Sequence, residues 1–395
     1  MRKIGTVIIG GGAAGIVAAI SAKRKGDSVL ICERLPQLGK KILASGNGRC
    51  NLLNEDMSET YYKDSAQKLV KSVFSKFSKN DIFDFFNKLG LEMYSKDGRI
   101  FPITNQASSV LKVLEMELKR LAVPSELGFE AAHISDSKDG FAVRSKKGLA
   151  IKCEKVIIAG GGKSYPALGS DGSSYLLASE LGHTIIEPVP SAVPFVVKDS
   201  LCRILQGQKI FAGVKSVIDG KITSEVSGEL LFTKYGLSGT SILDISEHIS
   251  VALNRHKKKD VFVLIDMVPF FSKEELGKEL AKRMERKILQ EDFFAGILPN
   301  KFGIALKDLA DRREIGGMVE GLKDRRFRVI GTRGWNEAEF TSGGVNVSAV
   351  KEHTLESKFK KGIYFAGEVL DVGGKRGGYH LAWAWASGFA AGLTE

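Results

Sequence analysis

Apolar residues crowd positions 4, 7, 8 and 9 (Ile4, Val7, Ile8, Ile9) and the run ends in glycine, the pattern of a short strand buried on both faces. An amphipathic stretch over 16–25 follows, then a second apolar run over 29–31 that leads to an acid, Glu33. Strand, glycine turn, helix and strand in this order predict a βαβ unit. Farther along the spacing changes to three and four residues: 61–77, 80–89 and 108–121 predict amphipathic helices, with Phe83, Phe85 and Phe86 in the core. Short alternating runs over 126–152, divided by turns at Lys138-Asp139-Gly140 and Lys146-Lys147-Gly148, predict a small antiparallel meander. A buried strand over 155–159 and a helix over 173–181 complete this part.

Pro188, Pro190 and Pro194 mark a boundary, after which the texture changes. Strand-like runs with glycine turns occupy 207–217, 222–232 and 261–267, and a charged helical stretch occupies 273–323. Past Phe340 the glycine loops return, and a final helix is expected over 381–393. The expected organisation is a discontinuous dinucleotide-binding domain, 1–190 with 341–395, interrupted by an inserted β domain at 191–270 and a helical segment at 271–340.

A chain of 395 residues is long enough for two or three domains. At 43% apolar and 26% charged it reads as a globular protein without long disordered tails. No apolar run approaches the roughly 20 residues that span a bilayer, and the short apolar run after Lys3 leads straight into the glycine turn; a cytoplasmic protein is expected. Cys32, Cys50, Cys153 and Cys202 form no CxxC pair, which points to free thiols and to no metal site. The net charge of +12 raises the question of nucleic acid. Residues 191–340 hold 25 Lys+Arg against 21 Asp+Glu, or +4, which leaves +8 for the rest. The excess is spread, so composition points to a small-molecule substrate ahead of nucleic acid; oligomeric state is not legible.

The candidate chemistry begins at the first turn. In Gly10-Gly11-Gly12-Ala13-Ala14-Gly15, Gly10 permits a tight turn, Gly12 lets the backbone approach a pyrophosphate, and Gly15 lets the helix lie close to the sheet. The phosphates would sit at the helix N-terminus, against Ala13 and Ala14. Glu33, eighteen residues past Gly15, is placed to accept ribose hydroxyls, with Arg34 beside it. The stretch 39–51 reads as an extended, ligand-facing loop with Lys41, Ser45, Gly46, Asn47, Arg49, Cys50 and Asn51 as candidates. Ala159, Gly160 and Gly161 end a strand at a further glycine loop. Its Gly160-Gly161-Gly162-Lys163-Ser164 is no Walker A loop, because Ile157 stands where the first glycine belongs. At the far end, Gly367 and Glu368 end a strand, and Gly377, Gly378 and Tyr379 open the last helix. One fingerprint with three further glycine loops suits a large extended ligand, FAD better than NAD.

These residues resemble a known family, the flavoproteins grouped as BaiN-like or YhiN-like, which include proteins described as aminoacetone oxidases and bile-acid reductases. The carriers are Gly10 to Gly15, Ser45-Gly46-Asn47-Gly48-Arg49-Cys50-Asn51, Gly161-Gly162-Lys163-Ser164-Tyr165-Pro166, Phe232 to Gly239, Thr341-Ser342-Gly343-Gly344-Val345 and Gly367 to Gly388. The resemblance implies an α/β fold: a glutathione-reductase-like FAD-binding Rossmann domain interrupted by a β-barrel-like and helical substrate region. It also implies that 45–51 and the Gly-Gly-Tyr segment border the flavin and that Glu368 lies near the ribityl chain. Here His380 and Ala382 replace the usual Asn and Gln, and Gly160 replaces a usual Thr. Tyr379 and His380 are the candidate proton donors. The expected activity is that of an FAD-dependent oxidoreductase with NAD(P)H as possible co-substrate, reducing an organic acceptor such as a conjugated double bond of a steroid or bile acid. Two alternatives stand beside it: an oxidase of a small amine using oxygen, and an RNA-binding or RNA-modifying flavoprotein.

Overall fold

The computed structural model describes residues 4–393. The chain divides into two units, Met1–Pro188 with Thr341–Glu395, and Val189–Phe340. In the first, Ile4–Ile9 lies between Val29–Glu33 and Ala150–Ile158, parallel to both. Ser125–Leu127 extends the sheet beyond Val29–Glu33, and Ile363–Phe365 extends it along the last residues of Ala150–Ile158, again in parallel. The first residues of Ala150–Ile158 pair instead with Gly140–Ser145, which carries Ala131–Ser137 as an antiparallel meander. Parallel strands must be covered on both faces, which is why Val7, Ile8, Val156, Ile157 and Phe365 are all buried without alternation.

The helix Ala13–Arg24 starts three residues before the first position that the apolar spacing marks, with Gly12 as its N-cap. Residues 14 to 22 are buried without a break because a second helix, Tyr379–Gly392, covers the side away from the sheet. Gly388 and Gly392 lie one turn apart, and a β-carbon on either would run into the carbonyl oxygens of Ala14 and Ala18. The two ends of the chain are thereby packed backbone to backbone.

Two local expectations fail. The stretch 61–77 is a single turn, Glu59–Tyr61, followed by the helix Asp64–Phe74, because Tyr62 and Lys63 are extended and pair with the backbone of Gly373 and Gly374. The stretch 39–51 is no extended loop either: Lys40–Ala44 is a helix whose Ile42 is buried, and 45–48 is a tight turn. Nearby, Leu53–Asn54, Arg99–Pro102 and Met93–Lys96 form a small antiparallel sheet.

The chain leaves this unit along Ile185–Ser191 and returns along Phe340–Val345. The second unit is a closed barrel of Phe195–Val197, Gly236–Ser238, Lys221–Thr233, Lys209–Ile218, Val261–Asp266 and Arg325–Thr332. Its core holds Phe195, Phe232, Leu237, Val263, Ile265, Phe327 and Val329. The segment 271–340 is helical only as far as Lys323; Arg325–Thr332 is a barrel strand, with Phe327 and Val329 inward and Arg326 and Arg328 outward. Among the described residues no helix is long and apolar enough to cross a membrane.

Candidate cofactor and substrate site

The first part of the candidate site is built at the carboxyl edge of the parallel sheet. Gly10 is left-handed at φ 103° and packs on Ala159 and Gly160, so the first turn and the loop after Ala150–Ile158 share one edge. Gly12 is extended, and a β-carbon there would meet no atom within 4 Å. That open space lies at the start of a twelve-residue helix with no side-chain cap, where free amides and the helix dipole favour an anion. Gly15 shows the opposite: its missing side chain lets the helix close onto the Gly10 carbonyl.

Glu33 ends its strand 8% exposed and is held from two sides. One carboxylate oxygen accepts the Gly11 amide at 2.7 Å and the other the Leu35 amide at 2.8 Å. Each oxygen keeps a lone pair, so the carboxylate is oriented by the backbone and can still accept a hydroxyl. Arg34 is turned to Asp171, with Glu130 3.8 Å away.

A second cluster ties four segments together. Lys41 donates to Ser164 at 2.7 Å and to Glu368 at 2.8 Å. The other Glu368 oxygen accepts the Thr341 amide at 2.9 Å, and the Thr341 hydroxyl accepts the Lys163 and Ser164 amides. Burial acts hardest on the Glu368 carboxyl and pushes it up; Lys41, His380 and the hydrogen bonds outweigh it and hold it below the usual carboxylate range. Gly367, just before it, is anchored to the last helix: its amide donates to Ser387 at 2.9 Å and its carbonyl accepts the Trp383 indole at 3.0 Å. At Gly160 a β-carbon would strike the Ser174 hydroxyl, so glycine rather than threonine belongs there in this chain.

The third cluster gathers the turn 45–51, the small sheet and the start of the last helix. In the turn, Gly46, Asn47, Gly48 and Cys50 all have positive φ, and residues 46–49 are exposed. Cys50 is buried; burial pushes its thiol up to about 12, which makes it a packing residue rather than a thiolate. Asn51 Oδ1 is buried without a hydrogen-bond donor. Gly378 is left-handed and lies against the Leu53 backbone, while Asn54 donates to the Gly377 carbonyl at 3.0 Å. Tyr379 is stacked on Tyr61, ring centres 4.8 Å apart, and its carbonyl accepts the Tyr62 hydroxyl at 2.7 Å. Burial first, then Tyr61 and Asp56, push the Tyr379 phenol up to about 12. His380 Nε2 lies 2.7 Å from the Gly374 carbonyl, which only accepts, so that nitrogen carries the proton.

The residues fit FAD at three points: open space at a capless helix N-terminus, an acid fixed at the end of the second strand, and a buried amide oxygen without a donor. Sequence reading missed Tyr61, Tyr62 and the Lys63–Asp371 pair, 2.7 Å, whose acid also accepts the Gly343 amide. Tyr61 and Tyr62 fell inside an expected helix, and their contacts with Tyr379 span more than 300 positions.

Residues 4–394 match the family described as "HI0933-like protein Rossmann domain". The chain is 37% identical to a 3-dehydro-bile acid delta(4,6)-reductase of Clostridium scindens, over 99% of this chain and 98% of that one. It is 32% identical to a ribosomal RNA dihydrouridine synthase of Escherichia coli, over 99% of this chain and 97% of the other. Among solved structures, the open conformation of a flavocytochrome c3 fumarate reductase superposes with a TM-score of 0.50 at 16% identity, covering 99% of this chain and 78% of that one, a likeness of fold.

Proposed function

The chain belongs to the HI0933-like Rossmann family and is an FAD-dependent oxidoreductase, and from that premise we propose that it reduces a carbon–carbon double bond conjugated to a carbonyl. The observation that carries this reading is the relationship to the bile-acid reductase over nearly the full length of both chains. A second reading has the same chemistry. The name of the Escherichia coli relative specifies reduction of uridine in RNA, and the uracil double bond is conjugated to a ring carbonyl as an enone is. An oxidase of a small amine has no comparable support.

FAD, once bound and reduced by a two-electron donor, would supply hydride from its N5. The protein would hold it with the amides of Gly12, Ala13 and Ala14 at the pyrophosphate and Glu33 at the ribose, with the loop 159–161 beside the first turn. The Lys41–Glu368 pair would lie beside the middle of the cofactor, and the turn 45–51 with Gly377 and Gly378 would border the flavin ring. The first amides of the last helix, which has no side-chain cap, would favour negative charge on a bound flavin ring. Tyr379 donates the proton that the α-carbon of the acceptor needs; its phenol stays protonated at neutral pH. His380, tied to Gly374, positions that turn. NAD(P)H is the reductant and binds transiently, without a glycine fingerprint of its own.

The test is anaerobic. Purified protein, yellow with an FAD spectrum, is reduced with NADH or NADPH and mixed with a 3-keto-4,6-diene steroid acid or a uridine-containing RNA. Reoxidation of the flavin by either acceptor without oxygen is expected, and Tyr379→Phe should slow that step about 100-fold or more while leaving reduction by NAD(P)H unchanged. Protein that cannot be loaded with FAD, or a reduced flavin that only oxygen and no unsaturated carbonyl reoxidises, refutes the reading.

A further inference from the structure

One face of the small antiparallel sheet carries charge without a counter-charge. Lys96 pairs with Arg99, Tyr94 with Phe101, and Asn54 with Arg99 from the other side. Directly opposed residues share a face, so these five project together. The Arg49 guanidinium joins them, 5.0 Å above the Phe101 ring. Arg49, Lys96 and Arg99 are all exposed, and among the described residues none of the three forms an ion pair. The acids near them in sequence do not neutralise them: Asp56 accepts the Tyr61 hydroxyl, and among the described residues none of Glu55, Glu92 and Asp97 forms an ion pair.

Like charges opposed across a strand pair destabilise it by a few tenths to about 1 kcal/mol. Lys96 facing Arg99, with a second guanidinium stacked one position along, is such an arrangement, and an anion on this face removes the repulsion. Arg49 stays exposed while its guanidinium lies over the Phe101 ring, and a planar guanidinium suits a two-oxygen anion. The face adjoins the turn assigned to the flavin border: Arg49 belongs to the segment 45–51, and Arg99 Nε would stand 3.7 Å from a β-carbon on Gly377.

We propose that Arg49, Lys96 and Arg99 form an oxyanion-binding face that holds the anionic group of the acceptor substrate, a carboxylate or a phosphodiester, and so fixes its reducible bond at the cofactor. The proposal rests on the reductase reading above. It makes the enzyme selective for acceptors that carry an acid group at a distance from the reacting carbons.

Two matched pairs of acceptors test it on the FAD-loaded protein: a 3-keto-4,6-diene steroid acid with its methyl ester, and a short uridine oligonucleotide with free uridine. Binding is read from the perturbation of the oxidised flavin spectrum, and KM from anaerobic reoxidation. The anionic member of one pair should bind about tenfold or more tightly than its neutral partner. Lys96→Gln and Arg99→Gln should each bring that ratio towards one, and Arg99→Lys should keep part of it. FAD retention serves as the check that both variants fold. Preference within the steroid pair assigns a carboxylate, and preference within the uridine pair a phosphodiester. Equal binding within both pairs, or a preference that survives both glutamine variants, overturns the anion face. If neutral acceptors reoxidise the flavin as well as charged ones, the reductase reading stands without the face; if none of the four does, the reading itself fails.

Discussion

Replacing Glu33 with alanine removes two things at once, and the structure allows them to be separated. The carboxylate accepts the buried Gly11 amide at 2.7 Å and the Leu35 amide at 2.8 Å, so its loss leaves a buried backbone donor inside the turn that shapes the phosphate loop. A hydrogen bond to a charged group contributes about 1.5–3 kcal/mol, and an orphaned buried donor costs as much. The apoprotein should therefore lose about 3–5 kcal/mol from the first unit. For a unit of roughly 240 residues, at about 2–4 °C per kcal/mol, that is a fall in Tm of order 10 °C. The ribose contact adds a second loss, felt only when FAD binds, of about ten- to hundredfold in Kd. Glu33→Gln is the sharper probe: its amide oxygen still serves one backbone N–H, while its NH2 group faces the other, donor against donor. Calorimetry of the apoprotein and titration of FAD by quenching of flavin fluorescence read the two losses independently. A variant with unchanged apo Tm refutes the turn-holding role. A lowered Tm with unchanged Kd leaves Glu33 as a scaffold residue and removes the ribose contact.

Gly388→Val should abolish or sharply reduce soluble folded protein, because the new side chain meets the Ala14 carbonyl in a contact between two helix backbones; a variant with wild-type Tm would show that the helices can separate freely. His183 is buried between Phe359 and Phe365, and burial holds its pKa below the ordinary 6.5. The unfolded chain takes up a proton there before the folded one, so the contribution is intact above about 6.5 and stability falls as pH drops below it. His183→Asn should flatten the Tm profile between about pH 6.5 and 5 relative to wild type, and an unchanged slope excludes this residue as a source of acid sensitivity. All four cysteines are buried, and burial pushes each thiol up to about 12. Native protein should resist alkylation at pH 8 and label fully in denaturant; fast labelling of Cys50 in the native state would reopen a thiol role beside the flavin.

Much of the fold is legible where the signal is local. The first βαβ unit is written in a run of apolar residues, a glycine cluster and an acid, all within thirty positions, and the family resemblance extends it to the FAD-binding class. The helices at Lys79–Lys88 and Ala107–Arg120 follow from spacing, and the structure adds a capping box of Ser78 and Asp81 at the first. The failures share a cause. Tyr62 and Lys63 carry a helical pattern but spend their backbone on Gly373 and Gly374, and a long-range pairing overrides local preference. Arg325–Thr332 follows a charged helical stretch, and its alternation becomes meaningful only once it closes a barrel.

By itself the sequence determined the dinucleotide fingerprint, the glycine loops and the return of the chain to its first domain. Only the tertiary structure decided which residues act together. Lys41, Ser164, Thr341 and Glu368 are one network, and Arg49, Lys96 and Arg99 one charged face, because strand register and loop closure bring together positions that sequence distance keeps apart. A hydrogen bond or an uncompensated charge is a property of a pair, and the pairing is set by the packing of the whole unit.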